Sequence, residues 1–290
     1  MRQFDVGPGW ASKGEPLYGE TGSRERRPSA ASSLARASRV VLRAVALGYF
    51  GLLAVGIAVL VLPVRRLLER QAGRESNGEF TAQRIIHIAC RHYFRLVESL
   101  GLARIQWPNL ELLQRRPLLI VANHPSLIDT PLLMCCIPQA DFVVNAAWGE
   151  SPFLRRTVAA AGYLRADRGA QVVSEAVRRL RDGRCVVIYP EGSRTPREGM
   201  EPFRRGAAHI ALEAGCDLLP LVIHVTPRTL MKGQPWSDVP DRIPEWRIEV
   251  GEPIHPANYL EGSERRPLAA RKLTAIVEEY FAQRWSGGGS

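Results

Sequence analysis

Lysine is nearly absent from this 290-residue chain: Lys13, Lys232 and Lys272 are its whole complement, so 36 of the 39 basic side chains are arginines. The positive charge is therefore carried by groups that do not deprotonate near neutral pH. No lysine follows a glycine, which removes the phosphate loop of nucleotide hydrolases, and G-x-S-x-G, G-x-G-x-x-G and H-E-x-x-H do not occur. An α/β-hydrolase, a dinucleotide oxidoreductase and a zinc peptidase thus lose their motif support. Cysteine is scarce as well. Cys90, Cys135, Cys136, Cys185 and Cys216 are odd in number and form no C-x-x-C pair, which reads as small buried hydrophobes in a reducing compartment. His87, His92, His209 and His224 share no ligand spacing, so no metal is expected.

What is present is ordinary in bulk, with 46% hydrophobic and 23% charged residues, and excludes a disordered or collagenous chain. The net charge of +10 is uneven: the first 100 residues hold 15 basic and 8 acidic side chains. Such an excess suits nucleic acid or an anionic lipid surface. Residues 44–64 choose between them, because these 21 positions carry no charge and lie between Arg43 and Arg65-Arg66. As a helix they extend roughly 30 Å, about the thickness of bilayer hydrocarbon. Lipid rather than nucleic acid is the expected partner, with a buried core helix as the competing reading. Arginines flank the run almost equally, so a single crossing, a re-entrant segment and a helix lying in one leaflet all stay open.

The expected organisation is a mobile basic tail over 1–37, a membrane helix over 38–66, an amphipathic helical region over 67–102, a main domain over 103–285 and a flexible end over 286–290. In the third segment Ile85, Ile86, Ile88, Ala89, Tyr93, Leu96 and Leu100 recur at mostly three- and four-residue steps, suiting a helix on the bilayer or on the main domain. Beyond it, apolar runs at 118–122, 142–145, 185–189, 219–224 and 246–250 read as strands. Helical patterns cover 152–161, 171–181, 204–214 and 267–283. The fold class is α/β, a mixed sheet flanked by helices, with an N-terminal membrane-embedded helix and an amphipathic helix.

Three clusters follow strand-like runs or lie between them. Asn123-His124-Pro125-Ser126-Leu127-Ile128-Asp129 comes directly after the run 118–122. With Pro125 opening a helix, His124 occupies the turn and Asp129 reaches back from just beyond the first helical turn. A carboxylate that fixes the imidazole tautomer needs only a substrate hydroxyl to complete a triad, so the nucleophile comes from the acceptor. Tyr189-Pro190-Glu191-Gly192-Ser193-Arg194-Thr195 follows 185–188 and brings backbone N–H groups and a guanidinium together, an oxyanion-binding arrangement or a solvated turn with a Glu–Arg pair. Gly162-Tyr163-Leu164-Arg165-Ala166-Asp167-Arg168 offers a second phosphate fork at Arg168 held by Asp167, or a surface charge cluster.

In this order the clusters resemble the glycerolipid acyltransferase family, the phospholipid-synthesis acyltransferases typified by 1-acylglycerol-3-phosphate acyltransferase. That family carries N-H-x-x-x-x-D, G-x-x-x-x-x-R, F-P-E-G-T-R-S and a V-P-V-like strand, matched here by 123–129, 162–168, 189–195 and Leu219-Pro220-Leu221. The resemblance runs from about residue 80 to 285. It implies transfer of an acyl chain from a thioester, acyl-CoA or acyl carrier protein as cosubstrate with no other cofactor, to the hydroxyl of a membrane lipid, lysophosphatidate above all. A different lyso-lipid, an unusual carrier-bound chain, and a lipid-binding protein without turnover are the alternatives. By the same resemblance His124 is the general base and Asp129 its orienting partner, while Arg168, Glu191, Gly192, Ser193 and Arg194 bind the acceptor head group. Relatives commonly carry a lysine before the proline that follows the first motif; this chain has none there, and Asn145 is the replacement candidate for oxyanion donor. The expected location is the cytoplasmic face of a bacterial inner membrane.

Overall fold

The computed structural model describes residues 30–71, 78–151, 154–197, 199–259 and 266–285. Most of the expected tail, 1–29, and the expected loose end, 286–290, lie outside them. Seven strands form one sheet: β1 Arg104–Gln106, β2 Leu118–Ala122, β3 Asp141–Val144, β4 Leu164–Arg165, β5 Cys185–Ile188, β6 Leu218–Thr226 and β7 Glu245–Val250. Their spatial order is β1-β7-β6-β2-β5-β3-β4, parallel throughout except for the β6–β7 pair. The sheet is therefore mixed and flanked by helices, as the alternation of strand and helix patterns implies.

The α-helices are α1 Ala30–Gly56, α2 Leu62–Gln71, α3 Gly78–Ser99, α4 Asp129–Cys136, α5 Ala146–Glu150, α6 Arg155–Ala160, α7 Ala170–Arg181, α8 Gly206–Ala214 and α9 Arg266–Arg284. Strand β2 is buried at all five positions, which an unbroken apolar run requires of a strand covered on both faces. Leu118, Ile120 and Ala122 face the core beneath α3, α4 and α6, while Leu119 and Val121 face α7, α8 and α9. Strands β1 and β4 are absent from the sequence reading, being only three and two residues long at the two sheet edges. The helix read over 152–161 corresponds to α6, and a further short helix, α5, which the sequence reading lacks, precedes it across Ser151.

Helix α1 continues through a π turn, Ile57–Val61, into α2. The widened turn stands just before Pro63, which has no N–H for the carbonyl four residues earlier. Among the described residues one stretch, Ala35–Arg65, is long and apolar enough to cross a membrane, about 46 Å by helical rise. Its outward face carries Val41, Val45, Leu52, Val59, Leu60 and Val64, with Leu52 71% exposed. A helix serving only as core would turn such side chains inward, so this distribution favours lipid contact over the core alternative.

Helix α3 lies on the main domain. It buries Ala82, Ile86, Tyr93, Phe94 and Val97, and Glu79 at its start meets Arg179 at 3.1 Å and Arg184 at 2.8 Å. The same two guanidiniums hold Asp141, at 2.7 Å and 2.5 Å, at the head of β3. Gly162 sits beside this network with φ +66°, where a Cβ would collide with the Glu79 carboxylate. The glycine that opens the second motif is thus explained by packing and backbone conformation.

All five cysteines are free and buried. Burial pushes the thiols of Cys136 and Cys185 up to about 12 and that of Cys216 up to about 11, so thiolate is scarce at ordinary pH. Iodoacetamide at pH 8 is expected to leave the folded protein unmodified by intact mass and to alkylate all five sites after unfolding; adducts on the folded protein would contradict this packing.

Candidate active site

Parallel strands bring their C-terminal ends to one sheet edge, where ligands bind in α/β folds. The loops leaving β2, β3, β5 and β6 converge there. Asn123, the first residue after β2, donates from Nδ2 to the Ile223 carbonyl at 3.0 Å and accepts from the Ile223 N–H at 2.7 Å. Its side chain thereby extends the β2–β6 ladder by one pair and fixes the turn that presents His124.

His124 Nδ1 lies 3.0 Å from Asp129 Oδ2. A carboxylate accepts, so Nδ1–H donates and Nε2 keeps its lone pair. The helix begins at Asp129 and not at Pro125. The reason is local: the Ile128 N–H donates to Ser126 Oγ, and the Ser126 N–H to Asp129 Oδ2, bonds that compete with a helical turn. The aspartate consequently sits in the first helical turn, reaching back along the loop. Its second oxygen accepts from the indole of Trp246 at 3.3 Å, a residue at the start of β7 that sequence reading missed. Burial pushes the Asp129 carboxyl above its usual range, opposed by the bonds from His124, the Ser126 N–H and Trp246.

Tyr189 stacks on the imidazole, ring centroids 4.4 Å apart and planes 21° apart, and its hydroxyl accepts from Thr130 Oγ1 at 3.0 Å. The flat ring leaves the histidine little freedom to rotate out of its bond to Asp129. The third motif also grips the first by its backbone: the Thr195 N–H donates to the His124 carbonyl at 2.8 Å, and the His124 N–H faces Thr195 Oγ1 at 3.1 Å and Glu191 Oε1 at 3.3 Å.

Two residues expected at the head-group site, Glu191 and Arg168, do not line the His124 cavity. Glu191 is 3% exposed; its oxygens accept from Thr195 Oγ1 at 2.6 Å and from the Glu201 N–H at 3.2 Å. Its carboxylate therefore orders the loop around His124 and does not line the His124 cavity. Arg168 does not reach the cavity of His124. It lines a neighbouring depression with Arg155 and Arg165, and Asp167, expected to hold Arg168, bonds Arg165 instead at 2.8 Å.

His124 opens into a cavity of about 350 Å³ shared with Asn145, Trp148, Tyr189, Ser193, Arg194 and Lys232. Its side chain is 16% exposed, enough for access to the unbonded nitrogen. Gly192 lines the same cavity with φ +70°, and a Cβ there would lie 2.7 Å from Arg204 Nε. Asn145 caps α5, its Oδ1 accepting from the Ala147 N–H at 3.0 Å, which leaves the amide nitrogen to donate. Trp148 also lines a second cavity, wholly apolar, formed by Phe50, Leu53 and Ile57 from the long N-terminal helix with Ile86, Met134 and Val158. A chamber of mixed walls that carries the charged and polar groups thus adjoins a greasy one beside a helix suited to lipid.

Residues 104–224 match the family model described as Acyltransferase. The 1-acyl-sn-glycerol-3-phosphate acyltransferase of Pseudomonas aeruginosa is 26% identical over 202 residues, which are 67% of this chain and 75% of that protein. The lyso-ornithine lipid O-acyltransferase of the same organism is 32% identical over 113 residues, 38% of this chain and 43% of its own length. In fold, the chain is similar to the crystal structure of the 1-acyl-sn-glycerophosphate (LPA) acyltransferase PlsC from Thermotoga maritima, with a TM-score of 0.62 at 21% identity, covering 84% of this chain and 96% of that one.

Proposed function

We propose that the chain, which resembles the glycerolipid acyltransferases in its family-model match and its curated relatives, is an O-acyltransferase that acylates the free glycerol hydroxyl of lysophosphatidate from a thioester donor, acyl-CoA or acyl carrier protein. The observation that carries the reading is the His124–Asp129 pair, tautomer fixed by a buried carboxylate, with the unprotonated nitrogen left to a cavity that also holds Arg194 and Lys232.

In the proposed reaction His124 Nε2 takes the proton of the acceptor hydroxyl as its oxygen attacks the thioester carbon. Acting as attack proceeds suits a hydroxyl of high pKa, which is scarcely ionised beforehand. The tetrahedral intermediate carries an oxyanion, and Asn145 Nδ2, held by its capping bond, is the donor proposed for it. Collapse expels the thiolate, which recovers the proton from the imidazolium. The apolar cavity beside Trp148 receives the acyl chain. Anchoring follows from the substrates: the acceptor stays in its leaflet, so the long apolar helix keeps the domain at the membrane, on the cytoplasmic face of a bacterial inner membrane where thioesters are supplied.

Membranes from a strain expressing the chain are expected to convert labelled lysophosphatidate to phosphatidate with one of the two donors, and conversion with neither rejects the reading. The 32% identity to a lyso-ornithine lipid O-acyltransferase favours a second acceptor class on the same chemistry. Lyso-ornithine lipid assayed in parallel separates the two, since acylation of that lipid alone moves the proposal to an aminolipid acceptor.

A further inference from the structure

The loop joining β6 to β7, residues 227–244, contains none of the motif residues, yet it is built into the site. Its Leu230 has φ 55°, the only non-glycine residue with positive φ among the described residues. A leucine is held in the left-handed region only where its surroundings over-determine it, and such positions cluster at functional sites. Here the surroundings are both motifs at once. The Leu230 carbonyl accepts from the Leu127 N–H at 2.9 Å and from Arg194 Nη1 at 3.2 Å, and the Met231 carbonyl accepts from the same Nη1 at 3.1 Å. The far half of the loop is fastened to the long N-terminal helix, where Arg43 Nη1 donates to the carbonyls of Trp236 and Asp238 and Arg39 Nη1 to that of Pro240.

Lys232 follows the strained residue by two positions, and this scaffold delivers its ammonium into the cavity of His124. Nζ lies 3.2 Å from Ser193 Oγ and 3.9 Å from Glu201 Oε1, with the side chain 47% exposed. The ion pair is long and solvated, so exchanging it for a stronger anion costs little. Arg194, the other cation lining the chamber, has Nη1 committed to two backbone carbonyls. We infer that Lys232 binds the phosphate monoester of the lipid acceptor, with Ser193 beside it, and that Arg194 serves chiefly as the clamp that positions the loop. An ammonium with three rotatable donors suits a phosphate dianion. The inference rests on lysophosphatidate being the acceptor, and it supplies the anion contact expected of Arg168, which lies elsewhere.

A thioester donor also carries phosphate, so the test measures both substrates. Full-length wild type, Lys232→Met and Lys232→Arg are compared in phosphatidylcholine vesicles with lysophosphatidate and acyl-CoA or acyl carrier protein thioester. Losing one charge-assisted contact of a half-exposed ammonium is expected to raise the acceptor KM of Lys232→Met about tenfold, with kcat within about twofold, the donor KM unchanged, and Lys232→Arg within about threefold of wild type. An unchanged acceptor KM in Lys232→Met, beside an active wild type, overturns the Lys232 assignment and leaves the acceptor reading standing. A rise in donor KM alone overturns it as well, by moving the contact to the other substrate. A wild type inert towards lysophosphatidate with either donor brings down the acceptor reading, and this assignment with it.

Discussion

His124→Ala is expected to lower kcat about a thousandfold while the chain remains folded and recoverable in membranes. A positioned general base contributes about 10²–10⁴ to the rate, and no other imidazole lines the cavity. The fold should survive because the removed ring is a partner of Asp129 and not its sole support: the Ser126 N–H and the Trp246 indole still donate to the carboxylate, and Asn123 still binds the turn to β6. Initial rates with saturating donor and acceptor, measured beside a thermal melt, check both halves. Wild-type turnover in this variant would remove the imidazole from the proton transfer and leave binding alone to the site.

Much of this arrangement was legible in the sequence because it is local. His124 and Asp129 are five residues apart in a single loop, and an unbroken apolar run such as 118–122 has few places to go except a doubly covered strand. Short edge strands were not legible, since Arg104–Gln106 buries one side chain of three, too little for a periodic signal. Trp246 was missed for a different reason. It stands 117 residues beyond Asp129, and only the antiparallel return of β7 against β6 carries it to the carboxylate. Where Arg168 and Glu191 come to lie was hidden for the same reason. Motif order alone placed Arg168 and Glu191 around a ligand, but whether a guanidinium points into one depression or its neighbour, and whether a carboxylate is buried, depends on contacts distant in sequence. Lys232 had no motif to announce it. Its signal was compositional, as one of only three lysines among 39 basic residues, and acquired meaning only once the β6–β7 loop was seen lying against the first and third motifs.

Asp129→Asn separates orientation from packing, and its expected effect is large on both. In the wild type Oδ2 accepts from His124 and from the Ser126 N–H, and Oδ1 accepts from Trp246; every neighbour is a donor. An amide has one oxygen and one NH₂ group, so either orientation sets donor against donor. With the NH₂ towards His124, the imidazole is pushed to the other tautomer and its Nε2 carries a proton it must not have, with kcat expected to fall about 10²–10⁴-fold. With the NH₂ towards Trp246, the catalytic bond is kept and a buried indole is left without an acceptor, at about 1–3 kcal/mol of stability. Having two donors on one side and one on the other, the site favours the second orientation on hydrogen bonds alone, but the neutral oxygen then steadies the imidazolium far less than a carboxylate does. The expected result is thus an enzyme slowed at least a hundredfold and melting below His124→Ala, which opens space but creates no donor–donor contact. Trp246→Phe supplies the control, losing a single 3.3 Å bond while the tautomer is kept, with a small expected change in kcat. Equal rates and equal melting temperatures for Asp129→Asn and wild type would show that the carboxylate charge neither orients the histidine nor satisfies its buried neighbours.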